Sequence, residues 1–449
     1  MNSASLPDPR RARTFRFIGC GYDAGEARLR YAFDDGPEMV ECVVFPDAPR
    51  LQGSAKAAFD RAIQLLHWIA GVSYYKAGAV GRLAIENARP DPGVLALIQS
   101  VYRHGLAEFA YRNNLDLRAE WSVSAPSGMA MAVPEVGLSA RTLVPIGGGK
   151  DSLVAVEALR SVGAEATATW IGDSPLIATC AARTGLPTLN IRRTLAPELF
   201  AYNRMGAWNG HVPVTAINSA ILVCASLLYG YDSIAFANER SASSATLEYD
   251  GQLVNHQWSK GAGFERDFAA VVRESIAKNL RYFSLLRCWS ELAVTRAFAR
   301  LPQYFDVFSS CNRNFRILGS RPVDRWCGQC PKCHFVFLAL APFLPKPRLL
   351  SIFGRNLLDD EALAPGFDAL LEYRGHKPFE CVGEGAEARA AMAELADRPE
   401  WREDALVARF RSEILPQLDA ASLGIGPWLE PQGEHGVPER LAGALRWLT

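Results

Sequence analysis

Apolar and polar residues alternate or run in short blocks along the start of the chain. Thr14–Tyr22, Ala27–Phe33 and Met39–Phe45 carry this strand-like pattern, and Asp34-Asp35-Gly36-Pro37 supplies a turn, so a β-meander is expected. Apolar positions then recur at helical spacing over Ala55–Ile69 and Gly93–Tyr111. Gly71–Gly78, between them, fits neither period. The Pro-, Ser- and Gly-rich stretch Ser124–Leu138 reads as a linker.

Beyond that linker the pattern changes. Short apolar runs at Thr142–Ile146, Ala166–Ile171, Thr188–Ile191 and Ser233–Ala237 alternate with helical patterns at Ser152–Val162, Pro175–Arg183 and Val214–Leu228. Strands alternating with helices of this length predict βαβ units and a parallel sheet, whose ligand sits beyond the carboxyl ends of the strands. From Phe264 to Arg300 the pattern is mostly helical. A cysteine-rich loop follows over Ser309–His334, then short helices punctuated by Pro342, Pro345 and Pro347. The expected architecture is α/β: an N-terminal α+β region over 1–135, a parallel-sheet domain with the cysteine cluster over 136–345, and a mostly helical region over 346–449.

Composition narrows the function classes. Apolar residues make up 49% and charged residues 21% of the 449 positions, the balance of a folded soluble protein. Forty-eight basic residues against 48 acidic ones exclude a nucleic-acid binder that works through its overall field. The first fifteen residues lack the apolar core of a secretory signal. The apolar stretch Val212–Tyr229 is broken by Thr215, Asn218, Ser219 and Ser226, so a buried helix is expected there instead of a membrane span. These features predict a cytoplasmic protein with no nucleic-acid or membrane partner. Only eight of the basic residues are lysines, which makes a lysine inside a polar motif informative.

Gly147-Gly148-Gly149-Lys150-Asp151-Ser152 lies between an expected strand and an expected helix. Glycines there let backbone N–H groups turn toward an anion, and the helix N-terminus adds partial positive charge. Ser152 can cap the helix or bind a phosphate oxygen, and Asp151 beside a phosphate calls for a divalent cation. A Walker loop is excluded, because Asp151 follows Lys150 and Val144 stands where a glycine is required; the Rossmann spacing fails as well. The segment resembles the S-G-G-x-D-S loop of the PP-loop pyrophosphatases at four of five fixed positions, with Gly147 in place of the first serine. That resemblance implies cleavage of ATP between its α- and β-phosphates. A ligand-free turn is the plainer alternative.

Two more constellations carry chemistry. Cys327, Cys330 and Cys333 are spaced C-x2-C-x2-C, and Cys311 stands sixteen positions before Cys327. Four thiolates can close a tetrahedral, structural Zn²⁺ site, with His334 as the substitute for one of them; unmetallated buried cysteines are the alternative. Polar runs follow the Ser233–Ala237 strand, where the nucleotide is expected: Asn238, Glu239, Arg240 and Ser241, then Asn255, His256, Gln257, Ser259 and Lys260, then Glu265. His256 and Lys260 can move protons, Arg240 can grip a carboxylate or phosphate, and Glu239 or Glu265 can hold Mg²⁺ or orient a base. Asn238, Ser241, Asn255, Gln257, Ser259 and Glu265 are the candidate substrate contacts. The Tyr74–Lys76 segment is a weaker candidate. His67 and His104 sit in helical patterns and read as structural.

Taken together, Gly147–Ser152, Asn238–Ser241, Asn255–Lys260, and Cys311 with Trp326–Cys333 resemble one family, the UDP-N-acetyl-α-D-muramoyl-L-alanyl-L-glutamate epimerases (MurL), over nearly the whole chain. The resemblance implies ATP- and Mg²⁺-dependent inversion of the terminal L-glutamate of a peptidoglycan precursor, with release of AMP and pyrophosphate. It also implies a functional link to the ligase that adds L-glutamate to the muramoyl-L-alanine. Two other readings stay open: a PP-loop ligase or amidase-type enzyme that passes the adenylate to ammonia or an amine, and a zinc-ribbon binding module on an inactive nucleotide fold.

Overall fold

A computed structural model describes residues 6–117, 121–126, 132–315 and 324–449. Residues 127–131 of the expected linker and 316–323 of the cysteine-rich loop lie outside the described residues. The chain forms twelve strands among these residues: β1 (Phe15–Asp23), β2 (Glu26–Phe33), β3 (Met39–Val44), β4 (Arg82–Ile85), β5 (Ser122–Ser124), β6 (Ser139–Pro145), β7 (Ala166–Ile171), β8 (Thr188–Thr194), β9 (Tyr231–Phe236), β10 (Leu247–Tyr249), β11 (Gln252–Val254) and β12 (Arg281–Ser284). Ten of them make one sheet in the order β12-β9-β6-β7-β8-β3-β2-β1-β4-β5. The β12-to-β8 portion is parallel throughout. The meander β1–β2–β3 is antiparallel and joins the parallel portion through an antiparallel β3–β8 pair, where Cys42 faces Thr194.

The two portions bury their faces differently. Along β1, buried and partly exposed residues alternate from Phe15 to Gly19, the signature of a strand covered fully on one side. The first four residues of β7 are all buried, because helices cover both of its faces. Helix Val214–Tyr229 has twelve buried residues and stops at Gly230, whose φ of 75° is the left-handed cap that glycine adopts without strain. Its nearly all-round burial explains its apolar composition. No helix among the described residues is long and apolar enough to cross a membrane.

One expectation needs correction, and two segments hold an unexpected element. The helical pattern over Gly93–Tyr111 is two helices, Pro92–Arg103 and Ala107–Asn113. They break at Gly105, where a Cβ would stand 2.4 Å from the Val101 carbonyl oxygen and 2.7 Å from Pro213. The mostly helical stretch from Phe264 to Arg300 also holds β12, which extends the sheet beside β9. Four residues are too few for a period to register, and only the tertiary pairing identifies them. The polar run after β9 also contains a hairpin, β10–β11, turning at Asp250-Gly251 with φ of 50° and 69°. That Asp-Gly pair is a hairpin signal that the sequence displayed.

Candidate active site

The carboxyl end of β6 delivers the chain into the glycine loop, and helix Lys150–Ser161 starts at once behind it. Gly148 has φ of 84°, and a Cβ there would come within 2.6 Å of Leu176. At Gly149 a Cβ would meet the Ser310 hydroxyl at 2.7 Å. Gly148 therefore requires glycine, whereas a side chain at Gly149 would only displace the Ser310 hydroxyl. At Gly147 nothing lies within 4 Å, so a serine side chain would have room there. Ser152 sits on the first turn of the helix, its hydroxyl 3.3 Å from the Gly149 carbonyl.

This loop forms one wall of a cleft of about 320 Å³, lined also by Asp151, Ser152, Asn238, Lys260, Ser310, Lys332 and Cys381. Two sequence-distant polar runs thus meet across the strand ends, as the parallel topology requires. Lys150 points inward instead. It is buried, ion-paired to Asp151 at 2.5 Å and to Glu291, and does not line the cleft. Burial pushes the Asp151 carboxyl up, but Lys150, Lys332 and Lys260 outweigh that and hold it below its ordinary value. The result is an ionised carboxylate at the cleft wall.

Glu239 is buried, and burial together with the charges of Glu291 and Asp151 lifts its carboxyl to about 8; its Oε1 has no hydrogen-bond partner. Arg240 lays its guanidinium over Trp428 at 5.7 Å and leaves Nη1 unpartnered. Of these runs only Asn238 and Lys260 line the cleft, and the others are held in the structure around it. Ser241 donates to Glu387 at 2.5 Å, Asn255 donates to the Ala242 carbonyl at 3.0 Å, Gln257 donates to the Val382 carbonyl at 3.3 Å, and Ser259 is buried. Glu265 is paired with Arg287 at 2.7 Å, and the same guanidinium donates to the carbonyls of Glu239 at 2.8 Å and Lys260 at 2.6 Å. Glu265 therefore fixes the backbone that carries the cleft residues.

Lys260 reaches the cleft and donates to Cys381 Sγ at 3.3 Å. Through Nδ1, His256 meets Glu108 Oε2 at 2.5 Å. Burial alone would lower the imidazole, but the Cys381 and Glu108 partners outweigh it and raise it to about 9. His211 packs on the His256 ring at 4.3 Å, and burial beside that cation pushes it down to about 4. Burial would raise the Cys381 thiol, yet Lys260, His256 and Lys332 hold it well below its ordinary value.

Cys381, Glu108, His211, Lys332 and Glu291 escaped the sequence reading. Cys381 stands in an aperiodic stretch with no metal spacing, and Glu108 lies 148 positions from its histidine partner. Only the fold joins them. The Tyr74–Lys76 segment lies elsewhere: all three residues are buried and none lines the cleft.

The four cysteines converge as the spacing requires. Cys311, Cys327, Cys330 and Cys333 place their sulfurs within 4.8 Å of one another, with pairs at 3.5, 3.7 and 3.9 Å. A tetrahedron with Zn–S bonds of about 2.3 Å has edges of about 3.8 Å, so the donor set fits zinc. His334 is outside this group; its ring stacks on Phe367 at 4.9 Å and neither ring nitrogen has a partner. The cluster also shapes the cleft, since Lys332 between two of the cysteines donates to the Cys381 carbonyl.

The chain matches the MurL N-terminal domain over residues 7–285 and the MurL C-terminal domain over residues 307–423. It is 58% identical to the UDP-N-acetyl-alpha-D-muramoyl-L-alanyl-L-glutamate epimerase of Xanthomonas oryzae pv. oryzae, covering 97% of each chain. It is 42% identical to the epimerase of that name from Salinispora tropica, over 98% of this chain and 97% of the relative. With the Micromonospora sp. epimerase it shares 41% identity, over 97% and 98% respectively.

Proposed function

The chain belongs to the MurL epimerase family, and on that premise we propose that it inverts the terminal L-glutamate of UDP-N-acetylmuramoyl-L-alanyl-L-glutamate, using ATP to activate the glutamate as an acyl-adenylate. The α-proton of a glutamate carboxylate is very weakly acidic, because its removal sets a second negative charge beside the first. Adenylation removes the carboxylate charge and lets the carbonyl accept the developing enolate. The observation that carries the reading is the cleft itself, which unites the glycine loop and helix N-terminus with Asp151, Asn238, Lys260 and Cys381.

In this reading the N–H groups of Gly147–Ser152 and the Ser152 hydroxyl bind the pyrophosphate, and Asp151 would hold Mg²⁺. Lys260 and Lys332 neutralise charge that develops in the cleft. Arg240, whose Nη1 has no partner, grips a carboxylate of the substrate. His256 carries a proton at neutral pH and acts as a proton donor. Zinc on the four cysteines has a structural part, since a closed thiolate set leaves no open position. A UDP-linked dipeptide substrate places the reaction in the cytoplasm, after the ligase that adds L-glutamate.

The test is release of AMP and pyrophosphate with and without the dipeptidyl precursor, alongside chiral analysis of the glutamate. The proposal expects precursor-dependent AMP and D-glutamate with no added amine. Precursor-dependent AMP whose product forms only with ammonia or an amine would establish the ligase reading instead.

A further inference from the structure

Cys381 differs from the buried cysteines that merely fill space. Cys224 and Cys180 are fully buried in the apolar core, and desolvation raises both thiols. Cys381 instead lines the cleft, with the Lys260 ammonium 3.3 Å from its sulfur. The charge of His256, an imidazole oriented by Glu108 at 2.5 Å, also acts on the thiol. A thiol open to the cavity with an ammonium at 3.3 Å is the arrangement that activates a cysteine nucleophile. Next in sequence to Asn238 of the cleft wall, Glu239 is 4% exposed with an unpartnered Oε1 and feels the charges of Lys260 and Asp151.

We propose that Cys381 takes the glutamyl group from the adenylate, so that the α-carbon is inverted while held as a thioester. The proposal rests on the ATP reading of the cleft. The Cys381 sulfur attacks the acyl carbon, the S–C bond forms, and the C–O bond to phosphate breaks with its electron pair leaving on AMP. The thioester carbonyl is uncharged and accepts the enolate as the α-proton leaves and returns. Water then attacks the same carbon, the C–S bond breaks, and the thiolate is restored beside Lys260. One ATP and one water are consumed per passage, and AMP and pyrophosphate leave.

The surroundings favour attack on carbonyl carbon over abstraction of a carbon-bound proton. A thiolate stabilised by an ammonium and an imidazolium loses driving force as a base by about 1.4 kcal/mol for each unit of acidity gained. Its nucleophilicity falls by less than half as much, because the Brønsted coefficient for thiolate attack is about 0.4–0.5. The same neighbours that disable Cys381 as a base keep it ionised and ready as a nucleophile.

Precursor labelled in its glutamate, mixed with holoenzyme, ATP and Mg²⁺ and quenched in acid through a single turnover, should leave label on the denatured protein. Neutral hydroxylamine should release it, and peptide mapping should locate it at Cys381. Cys381→Ala should keep precursor-dependent ATP–pyrophosphate exchange, which shows it folded, while AMP release and α-deuterium incorporation fall at least about 10²-fold. Wild-type protein that completes the turnover without label overturns the thioester, as does a Cys381→Ala variant that epimerises normally. The labelling arm needs no variant, so a misfolded Cys381→Ala does not weaken it. Wild-type protein lacking precursor-dependent pyrophosphate exchange would mark failure of the ATP reading, a separate result.

Discussion

Two regions of this chain bury polar side chains, and they do so to opposite effect. Under the antiparallel meander, His67 bonds the Arg30 carbonyl at 3.0 Å, Tyr31 donates to the His67 carbonyl at 2.8 Å, and Tyr102 donates to the Trp68 carbonyl at 2.9 Å. Burial holds His67 neutral, down to about 4, and pushes the tyrosines up. These groups are uncharged and mostly spend their hydrogen bonds on the backbone. At the parallel strand ends, by contrast, Lys150, Lys260, Asp151, Glu239, Glu291, His256 and Cys381 perturb one another through charge. Polar burial alone therefore says little about function. Clustered charge at the carboxyl ends of parallel strands, with a cavity to receive a ligand, separates a site from a core.

The largest expected effect comes from the metal cluster, which supports only the second region. Cys330→Ala should lose the one zinc expected per chain and fold poorly, since a structural metal contributes directly to folding. Elemental analysis of gently purified wild-type protein with no metal would break this expectation. Next stands Asp151→Ala, which should lower precursor-dependent AMP release by about 10²–10³-fold with an unchanged circular dichroism spectrum. Near-normal turnover in that variant would remove the cleft from the ATP reaction and leave both regions structural.

Glu239 sharpens the comparison through pH. Its carboxyl is lifted in the folded protein, to about 8, so the folded state keeps a proton that the unfolded chain releases. Its contribution to stability is full below the unfolded value near 4.5 and is lost as pH rises through about 8. Glu239→Gln should accordingly be more stable than wild type at pH 8, on the order of 2 kcal/mol by urea melts, and show little advantage at pH 4.5. Equal stability at both values would mean that the clustered charges are relaxed by solvent.

How far the sequence disclosed this arrangement depends on the range of each signal. Local ones were legible: the βαβ period, with β7 and helix Pro175–Arg183 at their expected bounds, the glycine loop, and the C-x2-C-x2-C spacing. The placement of Lys260 after a strand end was legible too. Contacts across the chain were not. Lys150 stands within the candidate phosphate loop, yet Glu291, 141 positions away, holds it inside the protein. Cys381 carried no local signal, because His256 and Lys260 act on it from one distant run, Lys332 from another, and Glu108 behind His256 from a third. No periodicity encodes such a meeting; the packing of the helices on the sheet brings it about.

The smallest expected effect tests the first region. Tyr74 Oη accepts a hydrogen bond from the Ala196 amide at 3.0 Å, and its ring stacks on Tyr31 at 4.9 Å and 23°. Tyr74→Phe keeps the ring and its stacking while leaving a buried amide without an acceptor, which costs about 1–2 kcal/mol. Glu41, which also meets this hydroxyl, retains Arg193 at 2.7 Å, so no buried charge is orphaned. The urea midpoint should therefore fall at unchanged m-value, while kcat and KM for the precursor stay at wild-type values. A variant with intact stability would show that water replaces the lost acceptor. A variant with normal stability and reduced kcat would do more, because it would carry the chemistry into the aromatic region and dissolve the distinction between the two kinds of polar burial.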